Sequence, residues 1–196
     1  MPDSDLSILI VCESRLRAHV IESGLREAGH SQIALIDDLN DAARAIQSTL
    51  PGAVVIDLEN PRPDTLAHFF SLVRAIQRPV AMFVDHSDSA MIEKAVEAGV
   101  SAYVVDGLRQ DRVKPVLDMA VSRFNAFARL TRELAQARGD LDGRKIIEHA
   151  KGILMRTRNL NEADAYALLR STAMNQNRKM ADIAQSLVTT EALLGP

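Results

Sequence analysis

Tryptophan is absent from this 196-residue chain, aromatic residues make up 4% of it, and there is one cysteine. A core built without Trp has to be mostly aliphatic, and the 47% hydrophobic fraction is ample for one. The single thiol, Cys12, excludes an intramolecular disulfide and a cysteine-based zinc cluster. It closes an apolar run, where a buried, inert thiol is expected. No apolar run approaches the roughly 18 residues of a membrane span. The start, Met1-Pro-Asp-Ser-Asp, lacks the basic region of a signal peptide, so the cytoplasm is the expected location. Positive charge is scarce as well. The net charge is −3, which argues against nucleic-acid binding by the whole surface. The charge is uneven, however. Residues 142–196 hold eight Lys/Arg against six Asp/Glu, a net +2. The remainder holds fifteen of the 23 basic and twenty of the 26 acidic residues, a net −5.

The chain alternates apolar runs with amphipathic segments. Ile8–Cys12 reads as a strand buried on both faces. Gln32–Ile36, Ala53–Asp57, Pro79–Val84 and Ser101–Val105 read as four more strands. Helical segments fall between them at about 15–28, 40–50, 64–76 and 87–98. Such alternation means a five-stranded parallel sheet wrapped by helices, an α/β fold. Ligand chemistry then belongs at the carboxyl ends of the strands. Those ends carry Cys12-Glu13, Asp57, Val84-Asp85 and Asp106.

This order, with Asp57 closing the third strand, resembles the receiver domain of two-component response regulators, a flavodoxin-like fold, over residues 5–122. The resemblance implies an acidic pair for Mg²⁺ after the first strand, a phosphoacceptor Asp, a hydroxyl after the fourth strand and a Lys after the fifth. Asp57 matches the phosphoacceptor. Glu13 matches one acid of the pair, but Cys12 replaces the other. Val84 stands at the hydroxyl position and Asp106 at the Lys position, where a carboxylate repels phosphate. The domain therefore reads as degenerate. No cofactor is required, and Glu13 with Asp57 is a candidate acidic pocket for Mg²⁺.

A long helical stretch follows, with Asp111 as its cap and Pro115 within its first turn. Val113, Leu117, Ala120, Phe124, Phe127, Thr131, Leu134, Arg138 and Leu141 are spaced 4, 3, 4, 3, 4, 3, 4, 3, a heptad seam. A parallel homodimer through Leu117, Phe124, Phe127, Leu134 and Leu141 is expected, with residues 123–141 as the coiled coil. Packing against the chain's own terminal bundle is the alternative. Gly139 and Gly143 mark a hinge before that bundle.

The terminal segment reads as three short amphipathic helices. Ile146, Ala150, Ile153 and Leu154 form the first stripe, Ala165, Leu169 and Ala173 the second, Met180, Ile183, Ala184 and Leu187 the third. Asn161 caps the second helix, with Asp164 three residues later. The run Ile147-Glu148-x-Ala150-Lys151-Gly152-Ile153-Leu154-Met155, then Glu162-Ala163-x-Ala165-Tyr166-x-Leu168-Leu169-Arg170, then Ala173-Met174-Asn175, resembles the ANTAR domain over residues 142–190. That resemblance implies RNA-binding transcription antitermination and no covalent chemistry, so no enzyme is expected.

Receiver, coiled coil and ANTAR in this order resemble the AmiR/NasT family. Met82–Ile92 and Ala102–Leu108 look most like its nitrate-assimilation (NasT-type) branch. The resemblance implies leader-RNA hairpins as targets and a nitrate-sensing partner of the periplasmic-binding-protein type. The expected RNA contacts are Lys145, Lys151, Arg156, Arg170, Arg178 and Lys179, with Tyr166 as a stacking platform and Asn175 as a polar contact. Tyr166 in the bundle core and Arg170 paired with Glu162 or another acid are the alternatives for those two residues. Lys151 is expected to face solvent, about 100° round from the apolar stripe. The other functional reading is a phosphorylation-dependent response regulator with a DNA-binding or protein-binding output. The run Asn175-Gln176-Asn177-Arg178-Lys179 has the composition of a recognition helix but is expected to lie in a connection between helices.

Overall fold

The computed structural model describes residues 6–38 and 41–194. The expected helix start at Asn40 and the first residue of the expected receiver span lie outside them. The chain divides into two compact units, Met1–Ala128 and Arg129–Pro196.

In the first unit five parallel strands, β1 (Ile8–Cys12), β2 (Ile33–Ile36), β3 (Ala53–Leu58), β4 (Val80–Val84) and β5 (Ala102–Val105), form one sheet in the order β2-β1-β3-β4-β5. The continuous apolar runs of β1, β3 and β4 put them inside, and all three are buried throughout. Helices α1 (Arg15–Glu27), α2 (Ala42–Thr49), α3 (Pro63–Ala75) and α4 (Ser89–Glu97) follow the first four strands. Asp88 caps α4 by accepting from the Met91 N–H at 2.8 Å. One core face gathers Val11, Val54, Ile56, Phe69, Phe70 and Met82. The other gathers Ile8, Ile10, Ile21, Leu25, Val55 and Phe83. Gly24 is required where α1 meets the start of the helix that follows β5, because a Cβ there would stand 2.5 Å from the Gln110 carbonyl oxygen.

Helix α5 runs from Gln110 to Arg158. It starts early enough that Pro115 lies inside it, beyond the first turn expected to hold it. Val113 and Leu117 belong to the sheet-covering core of the first unit. Leu117 is 1% exposed, so its expected place in a dimer seam is corrected. The heptad count began while the helix was still covering the sheet. Phe124, the next seam residue, is half-buried.

The expected hinge is corrected too, since Gly139 and Gly143 both lie within α5. A Cβ at Gly143 would rest 3.5 Å from Cβ of Ala181, so this glycine marks an approach of two helices.

The second unit closes α5 against α6 (Glu162–Asn175) and α7 (Met180–Leu194). The first bundle helix is thus the end of α5, rather than a short separate element. Ala150, Leu154, Ala165, Leu169, Ala173, Ile183 and Ala184 form the core, as the three stripes predict. Asn161 caps α6: its Oδ1 accepts from the Asp164 N–H at 2.8 Å, and its Nδ2 donates to Asp164 Oδ2 at 2.7 Å. Asn159 and Asn177, just past the ends of α5 and α6, take left-handed φ of 51° and 50°, the role asparagine shares with glycine at helix C-termini.

Candidate functional site

Two places gather chemistry, one in each unit. In the first, Cys12 and Asp57 face each other in register at the carboxyl ends of β1 and β3. The Asp57 side chain is fully buried. Its oxygens are already occupied. Arg17, in the first turn of α1, donates from Nε to Oδ2 at 2.7 Å and from Nη2 to Oδ1 at 2.6 Å. Its Nη1 donates to Asp85 Oδ1 at 2.7 Å. Cys12 Sγ donates to Asp57 Oδ2 at 3.2 Å. Burial, then the charge of Asp57, pushes the Cys12 thiol up to about 12, so it is neutral at physiological pH. The hydrogen bond to Asp57 foremost, with Asp85 adding to it, raises the Arg17 guanidinium above its ordinary value.

Glu13 is exposed and lines an open cavity of about 410 Å³ with Asp57, Glu59, Asn60 and Arg62. A divalent ion bound to Asp57 would need lone pairs that now accept from Arg17 and Cys12. Among the described residues no three His, Cys, Asp or Glu side chains cluster as metal ligands. The residues present do not fit a resident Mg²⁺ held by Glu13 and Asp57. Val84 is buried and Asp106 is exposed with φ of 49°, so neither provides the hydroxyl or the cation of a phosphate pocket. Sequence reasoning missed Arg17, whose partners are 40 and 68 residues away.

In the second unit a groove is lined by Tyr166, Arg170, Met174, Asn177, Arg178 and Lys179. Four of the expected RNA residues meet there: Tyr166, Arg170, Arg178 and Lys179. Tyr166 is 42% exposed, which settles against a core role. Arg170 is exposed and, among the described residues, has no acidic partner, while Glu162 pairs elsewhere. Arg178 Nη2 reaches Ser186 Oγ at 3.3 Å. The run from Gln176 to Lys179 connects α6 to α7, so it is no recognition helix. Asn175 is the exposed last residue of α6 and does not line the groove, where Asn177 stands instead. Lys145 is exposed with Asp142 at 3.8 Å, and Arg156 pairs with Glu191 at 3.0 Å.

Lys151 requires a correction: it is 7% exposed, not solvent-facing. The flank beside the apolar stripe is closed by the start of α6. The ammonium lies 2.8 Å from Glu148 and 2.7 Å from Glu162, so its burial is paired. The hydrogen bond from Glu148 first, then that from Glu162, raises the Lys151 pKa, and Lys151 in turn lowers that of Glu162. Gly152 meets only the Arg156 guanidinium, at 3.8 Å from its virtual Cβ.

Residues 135–188 match the family model described as the ANTAR domain. The chain carries an ANTAR domain. The chain is 28% identical over 178 residues to the transcriptional regulatory protein PdtaR of Mycobacterium tuberculosis, covering 91% of itself and 86% of that protein. It is 35% identical over 80 residues to the nitrate regulatory protein of Klebsiella oxytoca, but spans only 20% of that protein. It is 27% identical to the aliphatic amidase regulator of Pseudomonas aeruginosa over 55% of each. The first unit resembles the receiver domain of a modulated diguanylate cyclase from Desulfovibrio desulfuricans, with a TM-score of 0.52 and 18% identity, covering 62% of this chain and 97% of that one. It resembles a response regulator from Thermotoga maritima at a TM-score of 0.51 and 19% identity, over 60% and 98% of the two chains. Those two similarities show the fold. A receiver-like fold and a span similar to the ANTAR domain thus stand together in one chain. Among the described residues no helix is long and apolar enough to cross a membrane.

On α5 of the ANTAR chain, every residue from 129 to 142 is exposed. Phe127, Leu130, Leu134 and Leu141 are 72%, 59%, 52% and 54% exposed. With Ala137 they are spaced 3, 4, 3, 4. That seam is out of phase with the one counted from Val113. It replaces Thr131 and Arg138 with Leu130 and Ala137, and is apolar throughout.

Proposed function

We propose that this ANTAR protein is a cytoplasmic, RNA-binding antiterminator that holds leader-RNA stem-loops so that a terminator hairpin does not form. The observation that carries this reading is the exposed groove of Tyr166, Arg170, Arg178 and Lys179 within the span matched to the ANTAR domain. An aromatic face beside guanidinium and ammonium groups suits splayed bases next to phosphates. Lys145 and Asn175 extend the contact surface. Arg156 and Lys151, both held by acids of the chain, act on RNA only if those pairs open. A parallel dimer through Phe127, Leu134 and Leu141, joined by Leu130, presents two such grooves to paired stem-loops.

Control comes from a ligand-sensing partner protein rather than from phosphorylation of Asp57, whose oxygens are already engaged. Nitrate and nitrite assimilation genes are the proposed targets, and a nitrate sensor of the periplasmic-binding-protein type the proposed partner. The 80-residue similarity to the nitrate regulatory protein supports this part.

A gel shift tests the reading. Leader RNA of the genes beside its own should be retarded by the full chain, and duplex DNA of the same sequence should not. Arg170→Ala should weaken RNA binding and make its salt dependence shallower, by about 0.7 in log–log slope for each phosphate left unneutralised. Retardation of the DNA alone would favour a DNA-binding response regulator. Unchanged affinity and slope in Arg170→Ala together with Lys179→Ala would remove the groove from the interface.

A further inference from the structure

The acidic pocket of the first unit already holds a cation, supplied by the chain. Ser14 precedes α1, so the helix begins directly beyond the end of β1. Cys12 pairs with Asp57 across the sheet, so the first turn of α1 stands over Asp57. Arg17, the third residue of that helix, is 20% exposed in its side chain and reaches three oxygens of two carboxylates. Glu59 Oε1 lies farther off, 3.9 Å from Arg17 Nε. A guanidinium matches a carboxylate with two parallel N–H donors and keeps its charge at any physiological pH. The Cys12 thiol adds another donor to Asp57 Oδ2, where an acid would have repelled it.

We propose that Arg17 is a tethered counter-ion that closes the Asp57–Asp85 pocket against divalent cations, so that this receiver-like unit stands without a metal. Arg17 takes the position of charge compensation, one positive charge shared between two carboxylates. Removing it leaves Asp57 buried and anionic, with Asp85 beside it. The two aspartates are then free to take a hard cation that keeps water as its other ligands. This inference concerns the first unit alone and needs no RNA, so it stands or falls apart from the antitermination reading.

The test is thermal unfolding of the full chain with and without MnCl₂, followed by a signal from the first unit. The parent's melting temperature should not respond to Mn²⁺. Arg17→Met should melt lower and be raised by Mn²⁺, by about 3–6 °C at ten times the dissociation constant. The double variant Arg17→Met with Asp57→Asn should lose that response. An equal Mn²⁺ response in the parent, or none in Arg17→Met, overturns the proposal. A second arm needs no variant of Arg17. Mn²⁺ binding by the parent, read from water-proton relaxation and abolished in Asp57→Asn, would show an open metal site and also overturn it. If Arg17→Met does not fold, Arg17→Gln, which keeps two N–H donors without the charge, is compared with the parent in the same way.

Discussion

Replacing Leu130 and Leu134 by serine removes two apolar side chains that are 59% and 52% exposed in the single chain. Fully burying a leucine is worth about 1.5–3 kcal/mol, so the half left open is worth about 1–1.5 kcal/mol per residue on association. Two residues on each of two helices come to about 4–6 kcal/mol. At about 1.4 kcal/mol per tenfold, the dimer dissociation constant should rise by roughly three to four orders of magnitude. Sedimentation equilibrium reads this directly, with the mass moving from dimer to monomer at micromolar concentration. Thr131→Ala with Arg138→Ala is the matched control, because those residues fall in the seam only in the phase counted from Val113. A dimer that survives loss of Leu130 and Leu134 would refute the seam. One that is strengthened by the control alone would restore the original phase.

Lys151→Ala should lower the melting temperature of the second unit, since it strips a buried stem and leaves Glu148 and Glu162 facing each other unneutralised. Its effect on RNA affinity should be smaller than that of Arg170→Ala, and the reverse order in a gel shift would return Lys151 to the interface. The lowered Glu162 pKa gives stability that is present above the carboxylate's unfolded value and is lost as pH falls through the folded one. The gap between acid melts of parent and Lys151→Ala should therefore narrow at low pH, down to the part due to the lost stem. Asp57→Asn should cost the first unit about 3–5 kcal/mol in urea unfolding, because Arg17 loses a bidentate partner, yet leave control by the proposed partner protein intact. Loss of that control in a folded variant would make Asp57 the switch. Cys12 is raised to about 12, so the folded chain keeps a proton that the unfolded one sheds above about 9. Stability should fall from pH 9 to 12, and that slope should vanish in Cys12→Ser. A thiol reagent should label Cys12 at pH 8 only as fast as the first unit opens.

The parallel sheet was legible because β1, β3 and β4 are continuous apolar runs with helical segments between them, whereas the order of its strands comes from the structure. Asp57 was legible by its place at a strand end. Arg17 was not, because a contact between α1 and the ends of β3 and β4 leaves no local spacing to count. Its only signal is position, in the first turn after the strand that pairs with β3. Lys151 was misread by treating its helix as if nothing approached the flank of the apolar stripe. The acid that pairs with it, Glu162, comes from the next helix. Leu130 was overlooked by carrying one heptad count from the sheet-covering part of α5 into a part with no sheet to cover. Gly143 looked like a break, since helix propensity alone cannot register Ala181 across the bundle.

The exposed stretch of α5, residues 129–142, has a thermodynamic consequence. No core of its own holds it helical, and Gly139 weakens it by about 1 kcal/mol relative to alanine. Fourteen residues is about the length at which an isolated helix in water is marginal. In the proposed dimer, ordering this segment and pairing it with a second copy would be one thermodynamic event. Its helical content should rise with protein concentration, and its measured self-affinity already includes the cost of folding it. A regulator that captured this segment in another conformation would compete with self-association without touching the RNA surface at all.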